Sequence, residues 1–371
     1  MSESWQSTLA RWSSAGLVDS TTAARIRDFE AGQEQPKHLR WPILIAIGFG
    51  ALMLAAGVLL FVSAHWDDLS PSGRFSLVLA LVAIFHVAGA IFSERFPALS
   101  TALHGVGTAA LGAGIFLSAQ IFNLQEHWPG GVMLWALGAW IGWGLRRDWV
   151  QAAFVALLTP AWLASEWLDA TERMNGSEQI TAQGLLLLAL TYLSALSAEH
   201  REPVRRVLAW IGGLTLIPLT IAAIPEVWWG QQGRNISYGL LFLGKGLGVV
   251  LPLLLAVWLR RRGALINALA AVWILVLGFI SPEAKLTPYI WSALASLGLI
   301  AWGLHEARRE RINLGILGFG LTMLFFYFSN VMDRLGRSAS LMGLGLLFLI
   351  LAWGLERTRR HLVAKVRATA A

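Results

Sequence analysis

The sequence predicts an all-α fold: a polytopic transmembrane helical bundle of about 12 spans, with both termini in the cytoplasm. Three observations predict it: the composition, the apolar windows along the chain and the placement of the basic residues. Of the 371 residues, 56% are hydrophobic and 14% are charged. A soluble domain has about 45–50% apolar and about 25% charged residues. The composition therefore excludes a soluble enzyme.

The N-terminal segment, residues 1–35, predicts a short cytoplasmic helical hairpin. Apolar residues at helical spacing are Trp5, Leu9 and Trp12 in the first helix and Ala23, Ile26 and Phe29 in the second. Gly16 suits the end of the first helix, and Asp19 or Ser20 can cap the second. Two helices of this size bury too little surface to be stable alone. We therefore expect them to pack on the membrane domain, on a protein partner or on the lipid surface.

Residues 41–360 are predicted to form the transmembrane helical domain, followed by a basic cytoplasmic tail at 361–371. A bilayer core needs about 20 mostly apolar residues as helix. The candidate windows are 41–64, 75–92, 99–122, 130–145, 149–168, 181–197, 206–224, 236–259, 264–280, 288–304, 311–330 and 338–355. Several are short and adjoin Gly or Pro, so a count of ten, or one re-entrant pair, stays open.

The basic residues predict the orientation, because loops rich in Lys and Arg resist translocation. The two tails and the even connections carry 22 of the 29 Lys and Arg residues, and the odd connections carry six. The net charge of +7 is therefore a signal of topology. It indicates anionic lipid headgroups at the cytoplasmic face as partners, and no nucleic acid.

Lys245 is the one Lys or Arg in the interior of a predicted span, and it lies among glycines in Leu243-Gly244-Lys245-Gly246-Leu247-Gly248. An ionisable residue in a span is costly and usually faces a cavity or a partner. Lys245 is thus a candidate ligand-binding residue. Two alternatives stay open: the helix begins near Leu247 and leaves Lys245 in an outer loop, or its amine reaches back to the outer membrane boundary.

Three arginines of the outer loops are further candidates for ligand binding: Arg74, Arg234 and Arg337. Each follows a glycine and precedes a returning helix, where a cation opposes the helix dipole. Local pairing with acids upstream in the same loops would explain them. Alternatively, the three converge on an anionic lipid headgroup or an acidic solute, for which the planar guanidinium is suited.

An outward polar cluster is predicted if the first and third outer loops meet. Its members would be His65, Asp67, Asp68, Glu126 and His127. Such residues suit general acid–base chemistry or a metal, although solvated loop residues would carry the same pattern. The chain has no cysteine and no HExxH, P-loop or GxSxG motif, so no catalytic residue, metal or cofactor is assigned.

Part of the chain resembles a known family. The residues that carry the resemblance are Gly16-Leu17-Val18-Asp19-Ser20, the first span, and His65-Trp66-Asp67-Asp68-Leu69-Ser70 through Arg74. Together they are similar to the bacterial membrane-protein family called domain of unknown function 2157. The resemblance implies a multi-pass protein of the bacterial inner membrane. It implies no activity, so no site residues follow from it.

Three functions are compatible with these features. The first is transporter-like, the passage of a small anionic solute or lipid past Lys245. The second is a non-catalytic scaffold or sensor that binds a partner through the N-terminal hairpin. The third is an outward-facing enzyme, which no catalytic constellation supports. A polar cavity at Lys245 would favour transport, and a dry, fully packed bundle would favour a scaffold. The sequence defines no oligomeric state.

Overall fold

The computed structural model describes residues 5–33, 70–121, 127–171, 174–196, 202–224, 234–235, 237–277 and 286–330, with scattered helical residues between 46 and 60 and between 342 and 354. These residues are almost entirely helical. The helices are α1 (Trp5–Ser14), α2 (Ser20–Gln33), α3 (Pro71–Ile91), α4 (Pro97–Ile121), α5 (Pro129–Arg146), α6 (Trp149–Ala170), α7 (Ser177–Ser194), α8 (Pro203–Ala223), α9 (Tyr238–Arg260), α10 (Leu265–Val276), α11 (Thr287–His305) and α12 (Arg309–Asn330).

Each of the ten predicted windows from 75–92 to 311–330 coincides with one of the helices α3 to α12. The ends of window and helix agree within about four residues. Six of these helices are long and apolar enough to cross a membrane: α3, α4, α8, α9, α11 and α12. The first and last windows, 41–64 and 338–355, lie largely outside the described residues. The all-helical class is therefore confirmed, and the count of 12 spans stays a prediction.

Backbone contacts divide the chain into two compact units, residues 1–68 with 85–106, and residues 69–84 with 107–371. In the first unit, α1 and α2 occupy the positions predicted for the N-terminal helices. Gly16 has a φ of +70° after α1, and Asp19 accepts hydrogen bonds from the backbone of Thr21 and Thr22, each at 3.1 Å. Both local predictions are confirmed. Hydrogen bonds from Thr22 hold the pKa of Asp19 below its usual value.

The second unit contains the main core. Its most extensive pairings are α7 with α8, α11 with α12, and α5 with α6, each joined by a short connection. Small residues permit these contacts: a methyl group at Gly303 would lie 2.8 Å from the backbone nitrogen of Ile312, and one at Gly315 would lie 2.7 Å from the Ser296 oxygen. The second unit is thus built on close approach of neighbouring helix backbones.

Proline lies inside three helices of this unit, at positions 160, 218 and 252. Because proline has no N–H, Pro160 leaves the carbonyl of Ala156 without its helical donor. The hydroxyl of Tyr192 donates to that carbonyl at 2.9 Å. Residues from a neighbouring helix therefore satisfy a backbone group that water cannot reach in a bilayer.

One short pairing departs from the all-helical pattern. Met174–Asn175 pairs in parallel with Arg234–Asn235. The first pair of residues follows α6 and the second follows α8, so the pairing ties two connections together on the same end of the second unit. Two residues carry no strand periodicity, so the sequence does not predict this pairing.

Candidate functional site

An arginine network joins the helix ends on the face that the sequence predicts to be cytoplasmic. It comprises Arg260 at the end of α9, Trp302 and Glu306 at the end of α11, and Arg311 near the start of α12. The Arg260 guanidinium donates to Glu306 at 2.6 Å, that of Arg311 donates to the other Glu306 oxygen at 2.5 Å, and the Trp302 indole donates at 2.6 Å. One carboxylate therefore holds three helix ends.

Arg311 extends the network to a fourth helix. Its side chain is 2% exposed and donates to the carbonyl of Leu196, just beyond the end of α7, at 3.1 Å. The guanidinium also lies 4.0 Å from the centre of the Trp302 ring. Cations are favourable where helix carbonyls lack intrahelical donors, so the Leu196 carbonyl and the Trp302 ring, together with Glu306, stabilise this buried charge.

Arg205 makes a second connection on the same face. It donates to the carbonyl of Ala195 at 3.2 Å and to that of Leu259 at 2.8 Å, and so connects the start of α8 to the ends of α7 and α9. In the sequence, Arg205, Arg260 and Arg311 are three of the 22 basic residues that predict the orientation, and nothing else distinguishes them. The i, i+4 spacing of Trp302 and Glu306 was the one local sign of the network.

The charged groups of the network pair with one another, so they stabilise the packing of the helix ends and none of them is left free to react. Burial raises the pKa of Glu306, but hydrogen bonds from Arg260, Arg311 and Trp302 outweigh burial and hold that pKa below its usual value. A carboxylate with a lowered pKa between two guanidinium groups is poorly suited to proton transfer near neutral pH. The role of the network is therefore structural: it joins the ends of neighbouring helices.

A cavity of about 710 Å³ opens among α7, α8, α10, α11 and α12. Its volume is typical of small-molecule sites, which span about 300–1,000 Å³. Its lining is leucine, isoleucine and aromatic residues with a few neutral polar side chains, and it contains no Asp, Glu, Lys, Arg or His. At one end the lining reaches Trp302 of the arginine network.

Asn267 is the most buried polar side chain in this lining, at 1% exposure. Its amide nitrogen donates to the hydroxyl of Ser194 at 3.1 Å and to that of Thr191 at 3.4 Å. Its oxygen has no hydrogen-bond partner within the described part of the chain, and neither does the indole nitrogen of Trp273. The cavity thus has a largely apolar wall with a few neutral polar side chains, among them Asn267 and Trp273.

A second cavity, of about 460 Å³, lies among α5 to α9. Gly244, Leu247 and Gly248 line it, but Lys245 lines neither cavity. Lys245 is the eighth residue of α9 and is partly exposed, about 10 Å along the axis from the helix start. The alternative in which the helix begins near Leu247 is therefore wrong.

The other candidate residues have different outcomes. Arg74 is the fourth residue of α3, partly exposed. The backbone of Arg234 pairs with Met174. Arg337, His65, Asp67, Asp68 and Glu126 lie outside the described residues. The convergence of the three arginines stays a prediction.

His127 lies beside two acidic residues, Glu166 and Asp169, that are not members of the predicted outward cluster. Its Nε2 lies 2.8 Å from a Glu166 oxygen, and its Nδ1 lies 3.4 Å from an Asp169 oxygen. Both acids are in the last turns of α6, about 40 residues from His127 in the sequence. The described residues contain no group of three His, Cys, Asp or Glu that could hold a metal ion.

Two further histidines form a pair within the first unit. His86 of α3 and His104 of α4 face each other with their Nδ1 atoms 2.9 Å apart. The pair cannot be recognised from an i+3 or i+4 spacing in the sequence, because the contact is between helices. Their hydrogen bond is a packing contact between two apolar helices.

Comparison with known families bears on the first part of the chain. Residues 10–151 match the family described as predicted membrane protein DUF2157. The resemblance drawn from the sequence is confirmed over that segment, which runs from α1 into α6. The chain is a membrane protein, and the family description names no activity. No curated protein and no solved structure matches it. The cavity among α7, α8, α10, α11 and α12 lies beyond the matched segment.

Proposed function

We propose that this chain is a multi-pass inner-membrane protein, with both termini in the cytoplasm, that takes a lipid-like amphiphile into its helical bundle and transports it. The single observation that carries the proposal is the cavity of about 710 Å³ among α7, α8, α10, α11 and α12. An apolar lining of this size is suited to an acyl or isoprenoid chain that enters from the bilayer.

The lining favours a lipid over a small anionic solute. An anion in a cavity without cationic residues loses its hydration and gains no partner, which is strongly unfavourable. Lys245 and the arginines at 74, 234 and 337 remain proposed contacts for a headgroup that stays at the membrane boundary. We also propose that His127, Glu166 and Asp169 form a polar patch on the outer face. No metal ion is assigned to this patch.

A test of this proposal compares two glycines for which an added Cβ would meet no atom within 4 Å. Gly298 lines the cavity, whereas Gly320 does not. Leucine at either position adds the same side chain, so Gly298→Leu fills the cavity and Gly320→Leu is the matched control. Native mass spectrometry of the full chain, purified in mild detergent, measures the lipid that remains bound.

The proposal predicts a retained lipid in the wild type and in Gly320→Leu, with at least a tenfold loss in Gly298→Leu. Equal retention in all three proteins would place any bound lipid outside the cavity. Loss of lipid without any change in the transport of labelled lipid between vesicle leaflets would replace transport by binding alone.

A second candidate, a scaffold or sensor, is favoured by exposed apolar residues at the N-terminal helices. Leu17 is 75% exposed and Phe29 is 64% exposed. A photo-reactive amino acid at either position in whole cells should give a protein adduct if a partner binds there, while the same group at exposed Arg25 gives none. Adducts with lipid alone would indicate that the helices lie on the membrane surface.

A further inference from the structure

We infer that the second cavity, of about 460 Å³ among α5 to α9, is a groove that binds an acyl chain of an anionic phospholipid, with the headgroup at Arg147. Arg147 follows the end of α5, on the face that the sequence predicts to be cytoplasmic. The site goes beyond the proposed function, because this groove shares no lining residue with the cavity of about 710 Å³.

The groove extends along most of the length of the helices. Its lining includes Trp143 near the end of α5 and Trp258 near the end of α9, and also Gly244 near the start of α9. The 14 residues from Gly244 to Trp258 correspond to about 21 Å of helix. Half of the hydrocarbon core of a bilayer is only about 15 Å thick. The groove is therefore long enough for a whole acyl chain from one leaflet.

The wall of the groove is apolar and open to the surface of the bundle. Trp140, Leu163 and Trp258 line it, and all three are exposed. The hydroxyl group of Tyr192, in the same wall, already donates to the carbonyl of Ala156 at 2.9 Å. An acyl chain covers such a wall without a desolvation cost, whereas a polar solute would lose its hydration there.

Arg147 places a positive charge beside this wall. Its guanidinium carbon lies 5.4 Å from the centre of the Trp143 ring, which lines the groove, a distance at which a cation is attracted to the ring. The backbone nitrogen of Arg147 also donates to the carbonyl of Trp143 at 2.8 Å. Both the backbone and the side chain thus hold this exposed arginine at the groove.

The charge of Arg147 is available to a ligand. Two described acids lie at this end of α5 to α9, and each is next to another arginine: Asp148 is 3.8 Å from Arg146, and Glu202 is 3.9 Å from Arg205. Within the described part of the chain, Arg147 has no acidic partner. Its planar guanidinium can therefore donate two parallel hydrogen bonds to a phosphate.

An anionic phospholipid matches both parts of the site. Its acyl chain covers the apolar wall, and its phosphate accepts hydrogen bonds from Arg147. A neutral lipid leaves the guanidinium without an anion, and a soluble phosphate leaves the wall without a chain. A zwitterionic phospholipid carries an ammonium group that competes with the arginine for the same phosphate. The site therefore prefers a phospholipid with a net negative charge.

Native mass spectrometry of the delipidated full chain in mild detergent tests this preference. The probes are palmitoyl-oleoyl phosphatidylglycerol, phosphatidylcholine with the same acyl chains, and glycerol phosphate, which has the charge without a chain. The wild type should bind phosphatidylglycerol about fivefold more tightly than phosphatidylcholine, the effect expected of one basic residue near a membrane surface. Glycerol phosphate should bind more weakly than either lipid.

Variants at Arg147 test the contact with the headgroup. Arg147→Gln and Arg147→Gly should bind the two lipids equally. Because Arg147 has a φ of +54°, glycine is favoured at this position, and Arg147→Gly should melt no lower than the wild type. The control is Arg309→Gln, which removes an exposed arginine of α12, a helix that does not line the groove. It should keep the preference of the wild type.

Two alanines of α6 form a matched pair that tests the position of the acyl chain. Ala164 lines the groove, whereas Ala161 is exposed and does not line it. Ala164→Leu should weaken the binding of both phospholipids by the same factor, because leucine takes space from the acyl chain that they share. Ala161→Leu should bind them as the wild type does. If Ala164→Leu does not fold, the variants at Arg147 still decide the result.

Three results would overturn the site. The first is equal binding of the two lipids by the wild type, and the second is an unchanged preference in Arg147→Gly. The third is equal binding by Ala164→Leu and Ala161→Leu. Gly298→Leu, which fills the other cavity, should leave phosphatidylglycerol binding unchanged. Loss of binding in that variant would assign the lipid to the cavity of the proposed function instead, so the two ideas fail separately.

Discussion

At the scale of single residues, Arg311 shows why charge counting and packing must be considered together. Its position near the start of α12 places it among the arginines that predict a cytoplasmic face. The structure buries its guanidinium against Glu306, the ring of Trp302 and the carbonyl of Leu196. The same side chain can thus orient α12 during membrane insertion and then stabilise its packing against the neighbouring helices.

The Arg311→Met variant should be strongly destabilised, because Glu306 and the helix-end carbonyls lose a buried partner. We expect a loss of about 3–5 kcal/mol in the free energy of unfolding. The matched control is Arg309→Met, an exposed arginine of the same turn, with a change of about 0.5 kcal/mol or less. Unfolding in mixed micelles with increasing SDS measures both, and similar losses in the two variants would contradict the role given to Arg311.

Acid should weaken the same network through Glu306. Its pKa is lowered in the folded protein, so its stabilisation is complete above the unfolded value of about 4.3. That stabilisation is lost as the pH falls through the lowered folded pKa, when protonation leaves both arginines unpaired. The melting temperature of the wild type in detergent should therefore fall more steeply than that of Glu306→Gln below about pH 4. Parallel curves would show that Glu306 does not contribute.

At the scale of helices, glycine positions determine how closely α11 and α12 approach. A Cβ at Gly315 would lie 2.7 Å from the Ser296 oxygen, whereas one at Gly320, in the same helix, meets nothing within 4 Å. Gly315→Ala should lose about 1–3 kcal/mol of stability. Gly320→Ala should gain up to about 1 kcal/mol, because alanine favours helix over glycine. Equal effects of the two changes on thermal stability would contradict this packing.

The proline of α6 leads to a prediction about a contact between helices. Tyr192 of α7 donates to the Ala156 carbonyl that Pro160 leaves free. Tyr192→Phe removes the hydroxyl alone and should cost about 1–3 kcal/mol in the free energy of unfolding. With alanine in place of Pro160, the helix supplies its own donor, so Tyr192→Phe should then cost much less. An unchanged cost in that background would contradict the assignment.

The sequence was most informative where structure is local. The helices α3 to α12 follow apolar windows that are visible in one dimension, and Gly16 and Asp19 end and begin helices as predicted. Contacts between distant residues were missed: His86 with His104, Glu306 with Arg260, and Asn267 with Ser194. Periodicity gives the face of a helix but not the helix that it meets, so the cavity could not be predicted.

At the scale of the whole molecule, the absence of cysteine makes the predicted topology directly testable. Single cysteines in place of Arg309 and His127 should label from opposite sides of the membrane, because the charge distribution places position 309 inside and position 127 outside. A membrane-impermeant thiol reagent on intact spheroplasts should react only at position 127. Reaction at position 309 instead would reverse the orientation.

The central claim is that a lipid occupies the cavity of about 710 Å³ in the second unit. Photo-crosslinking with a diazirine-bearing long-chain alcohol, followed by peptide mapping, tests it most directly. The account predicts adducts concentrated on the cavity-lining residues of α10, α11 and α12, competed by excess hexadecanol and lost in Gly298→Leu but not in Gly320→Leu. Adducts spread evenly over the lipid-facing helices, and unchanged in Gly298→Leu, would contradict it.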